Sequence, residues 1–151
     1  MAIVQTNINY TYESMIKNIL ELRFLYPFLR IENLGYSVLG KSIPVIKLGQ
    51  GSNEVFYSGS YHANEWITTT ILMKFIEDYC FSYSNNLTLF GYSIRDLFAY
   101  TTIYIMPMVN PDGVDLVTGF YPPNSGIYNS FQNIANRYPR NSFSYWLESK
   151  F

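Results

Sequence analysis

Residues 101–109 read TTIYIMPMV, an apolar, β-branched run without a single charge. A run of that length and composition fits a strand covered on both faces, so the chain must build a sheet with layers packed against it. The preceding segments provide those layers. IENLGYSVLG (31–40) and SIPVIKLG (42–49) are β-rich, and Gly40-Lys41 offers a turn between them. NEVFYSGSY (53–61) reads as a third strand, apolar enough to be interior. Thr11 can cap a helix over Tyr12–Tyr26 in which Met15, Ile19, Leu22 and Leu25 share one face, and Pro27 stops it. A second helix is expected over EWITTTILMKFIEDYCFSY (65–83), with a broad apolar face around Ile67, Ile71, Leu72, Phe75 and Ile76, and SIRDLFAY (93–100) reads as a short third. The order helix, strand, strand, strand, helix, strand predicts an α/β fold: a mixed sheet with flanking helices, mixed because a hairpin is antiparallel. NPDG (110–113) has turn chemistry, and the Tyr-, Pro-, Asn- and Ser-rich stretch 119–140 reads as a long irregular excursion.

Composition narrows the partners. Charged residues are 14 % of the chain, against roughly 25 % in ordinary soluble domains, while apolar residues reach 48 % and aromatics 19 %. That balance points to much surface buried or covered by a partner. A net charge of −1 with no basic block gives neither nucleic acid nor an anionic membrane anything to attract. The N-terminus lacks a basic stretch followed by a long apolar one, and no run approaches the about 18 apolar residues of a membrane span. A cytoplasmic location is the default expectation, and a secretion route without an N-terminal signal stays open. Cys80 is the sole cysteine, so no internal disulfide forms. Glu77 and Asp78 beside it offer no electropositive setting, which makes it a small core residue rather than a reactive thiol.

Chemistry concentrates in YSGSYHANEWITT (57–69), which holds the sole histidine, His62, and three positions later Glu65. The strand before them ends in Ser58, Gly59 and Ser60, and ligands of open α/β sheets gather beyond the carboxyl ends of strands. An i, i+3 pair at a strand-to-helix junction can aim both side chains at one point. Neutral imidazole and carboxylate are both good zinc ligands, and two histidines with one glutamate and a water form a catalytic zinc arrangement. A lone His-x-x-Glu also recurs by chance. On that pair alone a surface or hydrogen-bonded histidine is the simpler explanation, because catalytic zinc takes three protein ligands.

HANEW (62–66), after its YSG strand end, resembles the H-x-x-E-W element of zinc carboxypeptidases. MPMVNPDGV (106–114) is similar to that family's P-x-x-N-P-D-G element, and the spacing from His62 to Asn110 suits it. Upstream, YTYESM and LRFLYPFLRIENLGYSVLGKSIPVIKLG resemble the family's entry: a helix, a Tyr-Pro, then a hairpin. The resemblance covers residues 10–117, in a style closest to bacterial members that cut γ-D-glutamyl bonds to a diamino acid in cell-wall peptides. It implies the N-terminal portion of a zinc-carboxypeptidase-like (phosphorylase/hydrolase-like) fold, a zinc cofactor and a peptide substrate. His62 and Glu65 match the first two zinc ligands and Trp66 a packing aromatic. Pro111, Asp112 and Gly113 match a turn that shapes the site, with Asp112 either orienting a ligand histidine or capping the turn. Asn64 stands where many members carry arginine, which leaves the gripped carboxylate undefined. The family's third ligand is a later histidine, and its G-V-D-x-N-R clamp, specificity tyrosine and general-base glutamate also lie further on. Glu148 is not in a matching context.

Residues 1–151 are therefore expected to be the N-terminal half of a catalytic domain. Alone, the chain should bind zinc weakly, hydrolyse no peptide, and self-associate through an exposed sheet edge. An acyl-amino-acid zinc deacylase, sharing the H-x-x-E pair, is the competing enzyme class; Trp66 and the NPDG element favour the peptidase. A non-catalytic peptide-binding fragment or pseudo-enzyme is the other alternative. In the segment from Tyr121 to Tyr145, packing of the tyrosines is the simpler reading, and Arg137 and Arg140 read as solvated loop arginines.

Overall fold

The computed structural model describes residues 2–138. It shows a mixed α/β arrangement, with α1 (Tyr12–Leu25), β1 (Arg30–Tyr36), β2 (Ser42–Gly49), β3 (Asn53–Ser58), a single 3₁₀ turn (Ala63–Glu65), α2 (Ile67–Ser84), β4 (Thr88–Leu89), β5 (Tyr92–Ser93), α3 (Ile94–Tyr100), β6 (Thr101–Met106), α4 (Pro111–Val117) and α5 (Gly126–Ala135). The main sheet has the order β1-β2-β6-β3. β1 and β2 pair antiparallel, β2 and β6 antiparallel, and β3 and β6 parallel, so the mixed sheet expected from the hairpin is present.

Local chemistry explains most element limits. Thr11 is extended at the α1 N-cap and its hydroxyl accepts from the Ser14 N–H at 3.2 Å. Met15, Ile19 and Leu22 are buried on one face. Leu25, expected on that face, is exposed; α1 ends there, and Leu29 beyond the Pro27 turn is buried instead. The hairpin loop is wider than a Gly40-Lys41 turn. It spans residues 37–41, closed by Ser37 N–H to Lys41 O (2.8 Å) and Gly40 N–H to Ser37 O (3.0 Å), with Gly40 at φ +79° where a side chain would be strained.

β6 is central, as its composition requires, with Thr102, Ile103 and Ile105 buried. β3 is not interior among the described residues. It has β6 on one flank only, and Val55, Phe56 and Tyr57 are 37 %, 51 % and 48 % exposed. An apolar composition states which residues would benefit from cover; it does not say that the cover lies within the same stretch of chain.

α2 begins at Ile67 rather than at Glu65, which instead ends the 3₁₀ turn. Its buried stripe runs through Thr69, Met73, Ile76 and Cys80, so Ile67 and Ile71 face outward. Cys80 is fully buried, as expected, and burial pushes its thiol pKa up. SIRDLFAY does form a helix, α3, capped by the Ser93 hydroxyl accepting from Asp96 N–H. Side chains from α1, β2, β6, α2 and α4 meet in one core.

Two further readings need correction. NPDG is not a free turn but the first turn of α4: the Asn110 side chain accepts from Gly113 N–H at 3.0 Å, and Pro111 occupies the first helical position. The excursion 119–140 contains α5, capped by the Ser125 hydroxyl accepting from Tyr128 N–H. Tyr121 is buried beside Leu116 and Phe131, in keeping with a packing role, and Arg137 is exposed. Arg140, Tyr145 and Glu148 lie outside the described residues. No helix of the described residues is long and apolar enough to cross a membrane.

Candidate metal centre

The loop that carries His62 and Glu65 continues the parallel β3–β6 pair beyond the carboxyl ends of both strands. Gly59 N–H donates to Met106 O (3.1 Å), Val109 N–H to Gly59 O (3.0 Å) and Asn110 N–H to Ser60 O (3.0 Å). Gly59 is required by space, since a Cβ there would stand 2.9 Å from Pro107 O and 3.0 Å from both Leu72 Cδ1 and Thr68 Oγ1. Ser60 takes φ +52°, in the left-handed region, and is nonetheless buried. Its N–H donates to Thr68 Oγ1 (2.8 Å), and its hydroxyl pairs with Thr69 Oγ1 (2.7 Å), whose own hydroxyl donates to Pro107 O (2.6 Å). This small, dense network reverses the chain and turns His62 towards solvent.

After the reversal, Glu65 N–H donates to His62 O (3.1 Å), and the 3₁₀ turn brings the two side chains together. His62 Nδ1 stands 3.2 Å from Glu65 Oε1. The imidazole is 76 % exposed and the carboxylate 47 %, so both are open to a ligand arriving from solvent. Two donors on one tetrahedral zinc, each at about 2.0–2.2 Å, stand roughly 3.3–3.6 Å apart. The observed separation is close to that span, and nitrogen and carboxylate oxygen are both suited to zinc. The pair therefore fits the metal as a partial ligand set. Among the described residues, no group of three or more His, Cys, Asp or Glu side chains could hold a metal ion.

Trp66 is partly buried against the main core, the packing role expected of it. Asp112 does not orient His62. Its two oxygens accept from Ser37 Oγ (2.9 Å) and Leu39 N–H (3.0 Å), so it fastens the β1–β2 loop to α4. Asp115, almost fully buried, does the same for two other elements: it accepts from Tyr12 N–H (2.8 Å) at the start of α1 and from the Lys41 ammonium. Burial opposes the charge on Lys41, but its hydrogen bonds to Asp115 and Tyr121 outweigh that and hold its pKa above the ordinary value. The ammonium also lies 4.9 Å from the centre of the Tyr121 ring.

Sequence reasoning placed Ser60 only at a strand end and Asn110 only in a turn, and gave neither a role in presenting the pair. A signal for the second was present: Asn followed by Pro is a helix-start pattern as well as a turn pattern.

The zinc carboxypeptidase family profile matches residues 15–142. The chain is 44 % identical over 138 residues to gamma-D-glutamyl-L-diamino acid endopeptidase 1 of Lysinibacillus sphaericus, a match covering 91 % of this chain and 34 % of that protein. It is 32 % identical over 92 residues to carboxypeptidase B of Astacus astacus, covering 58 % of this chain and 28 % of the relative. Among solved structures, thrombin activatable fibrinolysis inhibitor shares the fold with a TM-score of 0.65 at 20 % identity, over 78 % of this chain and 30 % of the other. The chain thus spans about a third of the length of these curated relatives. With the profile running through His62, Glu65 and the Asn110–Gly113 helix start, this chain belongs to the zinc carboxypeptidase family.

Proposed function

We propose that His62 and Glu65 hold zinc for the hydrolysis of peptide bonds, and that the substrates are cell-wall-type peptides with a γ-D-glutamyl bond to a diamino acid. The observation that carries the proposal is the convergence of His62 Nδ1 and Glu65 Oε1 at 3.2 Å on a solvent-open loop beyond the β3 and β6 ends. Support for the substrate class is the endopeptidase relative at 44 % identity. When bound, zinc supplies Lewis acidity, polarising a carbonyl and lowering the pKa of water towards about 7. His62 offers a nitrogen and Glu65 a carboxylate, and the network around Ser60 fixes the turn that presents them. A third ligand, a general base and a carboxylate clamp would come from residues other than these, so the 151-residue chain alone is expected to be inactive.

The sheet edge bears on partners. β3 has a free flank among the described residues, and beside it lies an apolar groove of about 570 Å³ lined by Tyr57, Ile67, Ile71, Phe75 and Phe90. Such a surface invites a second copy of the chain when nothing else covers it.

The test is hydrolysis of a γ-D-glutamyl–diamino acid peptide by the protein isolated from its own source, with and without a chelator. Cleavage that stops on chelation and in His62→Ala is the expected result. Turnover that survives both, or turnover by the 151-residue chain alone, overturns it.

A further inference from the structure

His62 has an exposed ring whose one side-chain partner among the described residues is Glu65, so its direction has to come from its backbone. The peptide leading into His62 is held by one side chain from beyond the end of the neighbouring strand, β6. Asn110 Oδ1 accepts from Gly113 N–H (3.0 Å), and the same amide's Nδ2 donates to Tyr61 O (3.3 Å). The two bonds fix the amide's orientation, since the flipped form would set NH₂ against an N–H and oxygen against a carbonyl. Tyr61 O belongs to the peptide that leads into His62, so holding it sets the plane from which His62 departs. Asn110 N–H holds the peptide before that one through Ser60 O (3.0 Å). The contact is also close-packed: a Cβ on Gly113 would stand 2.6 Å from Asn110 Nδ2 and 2.9 Å from Ala63 Cβ. The first turn of α4 therefore lies directly against the 3₁₀ turn that carries Glu65.

We propose that Asn110 is a positioning residue for the metal pair. Its carboxamide serves at once as the α4 cap and as a clamp on the Tyr61–His62 peptide, so that α4 sets the direction of the imidazole. This rests on the reading of His62 and Glu65 as zinc ligands. It goes further by giving a role in metal affinity to a residue that touches no metal.

The two duties of the amide can be separated. Serine is as good a helix cap as asparagine, but its hydroxyl stands one bond nearer the backbone than the Nδ2 that reaches Tyr61 O at 3.3 Å, and so falls short of that carbonyl. In Asn110→Ser the thermal midpoint is expected to stay within a few degrees of the parent, while Zn²⁺ affinity of the 151-residue chain, measured by calorimetry, falls about tenfold, as when supporting partners of metal ligands are removed. A merely structural role would lower the midpoint and leave the affinity of the folded fraction unchanged, and that result overturns the clamp. If Asn110→Ser does not fold, exchange of the Asn110 side-chain NH₂ protons in the parent decides: slow exchange supports the clamp, and exchange at the rate of a free amide overturns it. Parent Zn²⁺ binding that His62→Ala leaves untouched would instead sink the metal reading, and the clamp with it. Normal binding in both parent and Asn110→Ser sinks the clamp alone.

Discussion

Ser60 illustrates what a single residue has to bear at this site. A left-handed conformation costs a non-glycine residue about 1–2 kcal/mol, and Ser60 adopts one while buried. Its N–H and hydroxyl are both engaged by the first turn of α2, which offsets the strain. None of this was visible in the sequence, where Ser60 read only as a small residue at a strand end. His62 and Glu65 were visible because their spacing is local and their chemistry is distinctive. The roles of Ser60 and Asn110 come from partners met through folding; the Asn110 amide reaches a carbonyl 49 positions away. Elsewhere, the Tyr79 hydroxyl is buried with no hydrogen-bond partner among the described residues, and burial pushes its pKa up to about 12. Leaving such a group unsatisfied costs about 1–3 kcal/mol. Tyr79→Phe is therefore expected to stabilise the chain by about 1 kcal/mol in denaturant unfolding, and a clear loss of stability would show that the hydroxyl has a favourable role.

The elements divide by how local their causes are. α1, the hairpin, β6 and α3 were legible because caps, stops and alternation are written within the segment itself. α4 was misread because Asn-Pro-Asp-Gly satisfies two rules at once, and packing of Gly113 against Ala63 and Asn110 selects the helix start. β3 was misread for the opposite reason: its sequence is that of an interior strand, yet it forms an edge among the described residues. That edge carries a prediction. Phe56 is half-exposed and does not line the groove beside β3, so a charge there should leave the core intact while blocking strand-to-strand pairing. In sedimentation the 151-residue chain is expected to run as a dimer or larger, and Phe56→Lys to shift it to monomer with unchanged circular dichroism. A parent chain that sediments as a monomer at tens of micromolar or above, on the order of a weak interface, would remove the edge as a contact surface.

At the scale of the whole molecule, α4 ties the structure together. Asp112 holds the hairpin loop, Asp115 holds α1 and Lys41, and Asn110 holds the loop that presents His62. The fold class, and the membership of the zinc carboxypeptidase family it shares with longer relatives, could be read from motif order. The way one short helix gathers three separate segments could not, because it depends on contacts between residues some 50 to 100 positions apart. The central claim is that the two converging side chains together take up zinc. Calorimetric titration of the 151-residue chain with Zn²⁺, beside His62→Ala and Glu65→Gln, tests it most directly. The account predicts one weak site, with Kd above about 1 µM and so less than about 8 kcal/mol of binding free energy, abolished by either substitution. Binding that persists in both variants, or no binding by the parent, would contradict it.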